Sequence, residues 1–418
     1  MSAFYDLSKT PRNILNQAIV RAIVSENNGA LFDPSDMTTL FQDAAGTIPV
    51  TAVEQPIGKI LDKSGNGYHA TQSITASRPV LSARYNLGLN TSQVMTGYAG
   101  WSGGAVGTIN SALAPDGTMT ASTVTTQEWM WREGFGGAYG SCSFAIYARA
   151  PSGTSFQTSI TIWNEGTSTK IASKIITVTD VWERFTLSGI TTAGVSLCRV
   201  SISNAGGGVN PPVGSMWWGY DVRVGADMGP YQRVNTATDY DTDERYFHKY
   251  LKFDGVDDYL NLPYMGLYAN GSASVVAATT VKPSTWSTIL AEGYGGMGGL
   301  YILARYTGTN KLGTLIQDDN VNKLRELETP ITRGITTVFS VVDAGSAITH
   351  WVSSMLAGSS NYTRSGTLTS AVTLVGARPY VDTLNGNLYG LIITKSALTD
   401  AQRIACERHV ARKAGVIL

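Results

Sequence analysis

Beyond residue 30 the apolar residues fall in short runs rich in β-forming side chains, and helical spacing almost vanishes. The clearest runs are "GTIPVTAV", "TSITIWN", "SKIITVT", "RFTLSGI", "LCRVSISN", "SVVAATTV", "ITTVFSVVD", "AVTLVGA" and "GNLYGLIIT". Clusters of Gly, Asn, Asp or Pro separate them, as expected between strands joined by tight turns. No repeat of about 20 to 50 residues is present, which disfavours a solenoid or a propeller. The pattern predicts an all-β chain of antiparallel sandwiches or jelly rolls.

Helical spacing occurs near the N-terminus. Thr10 can cap a helix that has Pro11 at its first position, and Gly29 can end it. The apolar positions of this helix are Leu15, Ala18, Ile19, Ala22 and Ile23. The helix either packs on its own domain or is an anchoring arm that docks onto a larger assembly.

A second helix is predicted near the C-terminus, where Thr399 can cap it and Gly415 can end it. Its narrow apolar stripe consists of Ala401, Ile404 and Ala405. The basic residues near its end, where the helix dipole favours them, are Arg408, Arg412 and Lys413. We interpret this helix as a lid on a β-sandwich and not as a nucleic-acid-binding element.

Tryptophan divides the β region, because seven of the nine tryptophans lie between residues 96 and 220. This segment opens with "AGWSGGAVGTINSALAPDGTMTAST" and closes with "SMWWGYDVRVGADMGPYQRV". It has an early Trp before a "PDGT" turn, a "W-R" strand from Trp182 to Arg184, and a closing strand from Trp218 to Tyr231. These features resemble the carbohydrate-binding-module-like jelly rolls of phage tail and virion proteins. The resemblance implies a sugar-binding, adhesive or purely structural module.

The segments on either side resemble one other family. "SGNGYHATQ", "LKFDGVDDYLNLP" and "LNGNLYGLIITKSALTDAQRIACERHVARKAG" are similar to a laminin-G or concanavalin-like sandwich of the phage type. In such sandwiches the first two motifs follow closely, whereas here the Trp-rich segment separates them. We therefore predict two antiparallel β-sandwich or jelly-roll domains, one inserted in the other. The predicted pieces are an anchor arm at 1–30, a discontinuous sandwich at 31–90 plus 245–418, and an inserted jelly roll with its return linker at 91–244.

Composition argues against several functional classes. Charged residues make up 15% of the chain, with 31 basic and 31 acidic side chains, so neither nucleic-acid binding nor membrane-surface binding is indicated. No apolar run approaches the ~18 residues of a membrane span, and no signal peptide is recognisable. Cys142, Cys198 and Cys406 give no disulfide framework. We expect buried thiols, with a bridge between Cys142 and Cys198 as the alternative.

The best candidate binding loop is "TTQEWMWREGFGGAYG", at 125–140. A sugar stacks its CH face on Trp or Tyr while polar side chains bind its hydroxyls. In a strand, Trp129 and Trp131 share one face, with Arg132 and Glu128 on the other. The two rings form such a platform or else fill the jelly-roll core, as Trp182 and Trp218 are predicted to do. The candidate carbohydrate-binding residues are Trp129, Trp131, Arg132, Glu128 and Tyr139, with Tyr294 and Tyr301 in a weaker second loop.

One turn of the chain is a candidate metal site. "FDGVDDY" places Asp254, Asp257 and Asp258 together, and carboxylates at such spacing could hold Ca²⁺ through hard oxygen ligands. The alternative is that Asp254 and Gly255 form a hairpin turn while the other acids are solvated. The four histidines show no metal-ligand spacing. We expect no cofactor other than Ca²⁺.

Enzyme activity is not expected. A glycosidase needs two carboxylates that flank the scissile bond. The candidates Glu128, Glu133, Glu165 and Glu292 do not form the E-x-D-x-x-E strand of concanavalin-like glucanases. The sequence also lacks a G-x-S-x-G elbow, a Walker loop and a dinucleotide-binding fingerprint.

With the two resemblances, these observations predict a tailed-phage virion protein assembled in the host cytoplasm. The expected role is an adsorption appendage, such as a tail fibre, spike or baseplate protein, that binds host-surface glycans without catalysis. The alternatives are a capsid or tail decoration protein with purely structural sandwiches, and a polysaccharide depolymerase. Expected partners are other virion proteins, host-surface polysaccharide and further copies of the chain, with a trimer favoured. Neither nucleic acid nor membrane insertion is expected.

Overall fold

The computed structural model describes residues 11–135, 140–192, 195–226, 228–282, 286–294, 297–306, 310–317, 323–332, 334–362, 372–378 and 382–418. The chain divides into two compact units. The outer unit consists of the chain up to Ala83 together with His248–Leu418, and the inserted unit is Arg84–Phe247. All described strand pairs in both units are antiparallel, so the all-β prediction is confirmed. No helix in the described ranges is long and apolar enough to span a membrane.

The outer unit contains helices α1 (Pro11–Glu26) and α2 (Asp400–Lys413). Its strands before the inserted unit are β1 (Ala30–Phe32), β2 (Leu40–Phe41), β3 (Lys59–Ile60), β4 (Ala70–Thr71) and β5 (Val80–Ser82). Its later strands are β16 (Tyr250–Asp254), β17 (Leu260–Leu262), β18 (Ala273–Val281), β19 (Trp286–Tyr294), β20 (Met297–Tyr306), β21 (Asn310–Gln317), β22 (Lys323–Pro330), β23 (Thr336–Asp343), β24 (Ala347–Val352), β25 (Met355–Asn361), β26 (Val372–Val375) and β27 (Asn385–Thr394).

These strands form two sheets. One has the order β25-β24-β23-β18-β27-β16-β5, with β1 also paired to β27. The other has the order β2-β3-β4-β17-β26-β19-β20-β21-β22. Every residue of β18 is buried, and α2 packs against this strand and its two neighbours. A strand covered on both faces carries a continuous apolar run, as "SVVAATTV" does.

Helix α2 is confirmed, including a capping box between Thr399 and Gln402. Its predicted apolar stripe is wrong, because Ala401 is exposed and Ile404 and Ala405 are only partly buried. The buried residues of the helix are Arg403, Cys406, Glu407, His409, Val410 and Ala411. The carboxylate of Glu407 accepts hydrogen bonds from Arg403 at 2.7 Å and from Ser354 at 2.6 Å, and another from Ser340. Buried charges are tolerated when they are paired in this way.

Helix α1 is also confirmed, but its apolar residues divide between two faces. Val20 and Val24 are buried, whereas Leu15 is 60% exposed and Ile19 is 43% exposed. Ala18 and Ala22 are exposed as well. Four of the five predicted apolar positions therefore face solvent, and the fifth, Ile23, is partly buried. A pair of valines attaches the helix to the outer unit.

The motif "DKSGNGYHATQ" forms a loop organised by one buried carboxylate. Asp62 Oδ1 accepts hydrogen bonds from the backbone N–H groups of Leu31 at 2.9 Å and Ser64 at 2.8 Å. Its Oδ2 accepts from the Ser64 hydroxyl at 2.7 Å and from Tyr68 N–H at 3.1 Å. Hydrogen bonds to Asp62 thus account for the conformation of this loop.

The motif "KYLKFDGVDDYLNLP" joins the two sheets of the outer unit. Strand β16 pairs with β27 and β5, whereas β17 pairs with β26 and β4, so Asp254 and Gly255 do not form the hairpin considered above. Thr71 of the first motif lies opposite Asn261 of the second. Gly255 has φ of 80°, and a Cβ there would come within 2.6 Å of the Asn385 side chain.

The inserted unit contains the strands β6 (Trp101–Gly103), β7 (Val106–Ala112), β8 (Ala121–Thr126), β9 (Met130–Phe135), β10 (Ser141–Arg149), β11 (Phe156–Asn164), β12 (Thr169–Val178), β13 (Glu183–Thr191), β14 (Cys198–Ser203) and β15 (Met216–Val224). They form two five-stranded sheets, β13-β10-β15-β8-β7 and β12-β11-β14-β9-β6. We call the second of these the platform sheet.

The core of the inserted unit includes the fully buried Trp101 and Trp217, and Trp101 meets Tyr220 edge to face at 5.4 Å. Trp218, predicted to be a core residue, is buried in a small separate cluster against which the partly exposed Trp182 packs. Cys142, Cys198 and Cys406 are buried free thiols, so no bridge joins Cys142 to Cys198.

Candidate functional site

The outer face of the platform sheet carries a row of aromatic and polar side chains. Along β14, Val200 and Ile202 belong to the core, so the alternating Arg199, Ser201 and Ser203 point outward. In the neighbouring strands Trp131 of β9 lies opposite Ser201, and Trp163 of β11 lies opposite Arg199. Three strands thus bring together residues that are far apart in the chain.

Trp131 and Trp163 stand on either side of β14. Since neighbouring strands are about 4.8 Å apart, the backbones of β9 and β11 are separated by roughly 10 Å. Between them the Trp163 indole N–H donates to the Ser201 hydroxyl at 2.8 Å. A cavity of about 240 Å³ opens here, which we call the tryptophan groove. Its lining residues are Trp129, Trp131, Trp163, Arg199, Ser201, Ser203, Asn204 and Ala205.

Arg199 occupies one end of the tryptophan groove. Its guanidinium carbon lies 5.2 Å from the ring centroids of both Trp131 and Trp163, which are cation–π contacts. Its Nε is 3.4 Å from a carboxylate oxygen of Glu165. Its two terminal nitrogens have no hydrogen-bond acceptor among the described residues, and they are therefore available as donors.

A short turn forms the other end of the groove. Asn204–Gly206 is a single 3₁₀ turn whose cap is Ser203. The Ser159 hydroxyl accepts a hydrogen bond from Gly206 N–H at 2.9 Å and donates to the Ser203 carbonyl at 2.7 Å. A Cβ at Gly206 would lie 1.8 Å from the Ser173 hydroxyl, so only glycine allows the turn to lie this close to the sheet.

Trp129 is the most exposed of the three tryptophans that line the groove. Its ring is 43% exposed and stacks on Trp131 with 6.4 Å between centroids and 11° between planes. Trp131 is partly buried, and neither ring belongs to the core of the inserted unit. Of the two alternatives raised by the sequence, the geometry is that of a surface platform.

The other predicted carbohydrate-binding residues lie elsewhere. The Arg132 guanidinium lies 5.5 Å over the Phe135 ring, and Glu128 is 3.5 Å from the Asn210 amide. Neither side chain lines the tryptophan groove. Tyr139 lies outside the described residues. The backbones of Tyr294 and Tyr301 belong to β19 and β20 of the outer unit, but their side chains lie outside the described part of the chain.

Four residues of the site were not predicted from the sequence: Trp163, Arg199, Ser201 and Asn204. The signal that could have found the first three is strand alternation, because Ile160 and Ile162 in "TSITIWN", and Val200 and Ile202 in "LCRVSISN", are buried. Their alternate neighbours must then face outward. Alternation does not reveal that β11 and β9 lie on either side of β14. This strand order brings the residues together into one site.

Two carboxyl groups lie next to Arg199. Glu133 is on the same face of β9 as Trp131, and it hydrogen-bonds with Glu165. Desolvation, the hydrogen bond with Glu165 and repulsion by Glu165 raise the pKa of Glu133. Glycosidases hold their two carboxyl groups at least about 5 Å apart, so a directly hydrogen-bonded pair does not match their geometry.

The predicted metal site is in the outer unit. Oxygen atoms of Asp254, Asp257 and Asp258 lie within 4.8 Å of one another. Burial and the nearby charges of Asp254 and Asp257 raise the pKa of Asp258 to about 6. Asp258 accepts a hydrogen bond from Asp254 N–H at 2.9 Å, and Asp257 accepts one from Ser77 at 2.9 Å. The cluster could hold a hard cation such as Ca²⁺, and these hydrogen bonds equally serve a turn without metal.

Comparisons with known proteins give distant structural matches. No protein-family model matches the sequence, and no curated protein matches it. The CBM40 domain of a Ruminococcus gnavus IT-sialidase, bound to α2,3-sialyllactose, matches with a TM-score of 0.28 and 13% identity, over 32% of this chain and 81% of that one. Domain 4 of a Geobacillus stearothermophilus GH43 arabinanase, in complex with arabinotriose, matches with a TM-score of 0.31 and 15% identity, over 38% of this chain and 76% of that one.

The binding domain of botulinum neurotoxin serotype D matches with a TM-score of 0.31 and 13% identity. This match covers 43% of the present chain and 45% of the toxin domain. At these TM-scores and identities, none of the three matches carries an argument about function.

Proposed function

We propose that this chain is a non-catalytic glycan-binding protein and that the tryptophan groove is its binding site. The observation that carries the proposal is the arrangement of Trp129, Trp131 and Trp163 around Arg199 on one exposed face of the platform sheet. Aromatic rings with a polar tip and an apolar face are suited to the CH face of a sugar. Ser201, Asn204 and Arg199 supply the few polar groups that orient a ligand in such a site.

The carboxyl groups near the groove support a role without catalysis. Glu133 and Glu165 are close enough for a hydrogen bond between them to raise the pKa of Glu133, whereas the two carboxyl groups of a glycosidase stand at least about 5 Å apart. Hydrolysis would require two separated carboxyl groups with different protonation states. A depolymerase is therefore the weakest of the three functions considered.

We further propose that the protein is a virion component of a tailed phage and that glycan binding serves adsorption to the host. This part rests on the sequence resemblances of the Trp-rich segment and the flanking sandwich motifs. The partners would be host-surface polysaccharide and other virion proteins, in an oligomer for which a trimer is favoured. A decoration role predicts instead that the tryptophan groove binds no glycan.

The test is a double substitution, Trp129→Ala with Trp131→Ala, measured for binding to host cells or a glycan array and for thermal unfolding. We expect binding to be lost while stability falls by less than the ~3–5 kcal/mol of each buried Trp→Ala change, because neither ring is in the core. Tyr98→Ala is the matched control, since Tyr98 is 42% exposed in the same unit and does not line the groove.

Two results would count against the proposal. A large loss of stability in the double variant would mean that the rings support the fold. A stable double variant that still binds cells as the Tyr98→Ala control does would leave decoration, or a site elsewhere, as the better account.

A further inference from the structure

We infer that the tryptophan groove selects uncharged sugars, because Glu165 already balances the positive charge of Arg199. This inference rests on the proposed glycan-binding function and specifies its ligand class. Three features of the groove support it: the charge balance around Arg199, the unused hydrogen-bond donors of Arg199, and the size of the cavity.

The positive charge of Arg199 is already balanced. Its Nε lies 3.4 Å from Glu165, and Glu133 hydrogen-bonds with Glu165. Among the described residues, Lys170 is a further cation near the groove, and its ammonium donates to the Ala205 carbonyl at 3.1 Å at the opposite end. A carboxylate or phosphate on the ligand would gain little from Arg199, because it would approach the negative charge of Glu165 at the same time.

Arg199 offers hydrogen-bond donors to the groove, whereas Glu165 does not line it. The terminal nitrogens of Arg199 have no acceptor among the described residues, and the Glu165 oxygen next to Arg199 Nε is buried. Arginine only donates, so the ligand must supply the acceptor. A sugar hydroxyl can accept from Arg199 without bringing a negative charge close to Glu165.

The cavity also limits the size of the ligand. Its volume of about 240 Å³ lies below the ≈ 300–1,000 Å³ of sites for drug-sized ligands. Trp131 and Trp163 bound it on two sides, with Ser201 between them. One sugar ring between these walls, with its neighbour on the exposed Trp129, accounts for the whole lining.

The experiment compares matched probes on the full chain. Neutral gluco-, galacto- and manno-oligosaccharides are titrated beside the corresponding uronate oligosaccharides, which differ in the carboxylate at C6. We expect at least one neutral series to bind about tenfold more tightly than its uronate counterpart, from repulsion by a carboxylate within a few ångströms. We also expect this binding to change by less than about twofold between 50 and 500 mM NaCl, because no net charge is paired.

Two variants test the residues. Glu165→Gln leaves the size of the side chain unchanged but frees the charge of Arg199, so the preference for the neutral series should fall and uronate binding should rise. Glu133→Gln is the second variant, and it should change the preference less than Glu165→Gln does, because the pKa of Glu133 is raised and the negative charge of the pair lies on Glu165. Unfolding temperatures of both variants establish that the fold is intact.

The outcomes separate the two proposals. Uronate binding that is equal or tighter in the wild-type chain, and is lost in Trp131→Ala, would overturn this inference and leave the glycan-binding proposal standing. An unchanged preference in a folded Glu165→Gln variant would also overturn it. Binding of neither series would remove the proposed function itself.

Discussion

We expect the outer unit to fold without the inserted unit. Replacing residues 84–247 by an Asn-Gly turn should leave the outer unit folded. Ser82 of β5 and Tyr250 of β16 are directly opposite in an antiparallel pair, so their Cα atoms are about 5 Å apart. A short turn that contains Asn-Gly therefore closes the pair as a β-hairpin. The described core of the outer unit draws only on residues up to Leu81 and from Leu251 onward.

The magnitude follows from the entropy of loop closure. Exchanging a flexible loop of about 160 residues for one of about four saves about 3 kcal/mol. This saving applies only when the inserted unit has already unfolded. While it is folded, its own ends are held together, since the rings of Tyr85 and Phe247 are 6.1 Å apart. The deletion should thus change the stability of the outer unit by 0 to about +3 kcal/mol.

The assay is denaturant or thermal unfolding of three chains: the full chain, the deletion variant and the isolated inserted unit 84–247. We expect the two fragments to reproduce the separate transitions of the full chain. At roughly 2–4 °C per kcal/mol, the outer unit should melt at the same temperature as in the full chain or several degrees higher. A deletion variant that is aggregated, or clearly less stable under conditions in which the full chain is soluble, would refute the insertion model.

Three further predictions concern single sites. Burial lowers the pKa of His350 from 6.5 to about 4, so only the unfolded chain gains a proton between these values. Stability should fall by up to about 3 kcal/mol from pH 6.5 to 4, and less in His350→Gln, as followed by denaturant unfolding. The pKa of Asp258 is raised to about 6, so the folded chain holds this proton more tightly than the unfolded chain and loses stability as the pH rises. Asp258→Asn should therefore raise the melting temperature at pH 7.5 and not at pH 4. If the aspartate cluster binds Ca²⁺, added Ca²⁺ should stabilise the wild-type chain and not this variant. Leu15→Asp with Ile19→Asp should change the free energy of unfolding by no more than roughly 0.5 kcal/mol, because both side chains are exposed, but it should prevent incorporation into particles. Val24→Ala should destabilise the outer unit, because Val24 is buried.

The helices show how far local patterns reach. Helical spacing correctly predicted α1 and α2, and capping residues correctly predicted the start of α2, because both signals act within a few residues along the chain. The predicted cap of α1, Thr10, lies outside the described residues. The two signals did not reveal which face is covered. In α2, Glu407 and Arg403 are buried while Ala401 is exposed, since Ser340 of β23 and Ser354 donate hydrogen bonds to Glu407, which also pairs with Arg403. Such partners are distant in sequence, and spacing within the helix does not encode them.

The same distinction holds for the candidate site. The sequence by itself determined the all-β class and the pairing of Trp129 with Trp131, because a two-residue period is a local property of a strand. Only the tertiary structure decided that Trp163 and Arg199 join them and that Arg132 and Glu128 do not. The order β11-β14-β9 is not the order of the chain. Which strands become neighbours depends on how the whole sandwich buries its apolar faces, and this long-range choice creates the tryptophan groove.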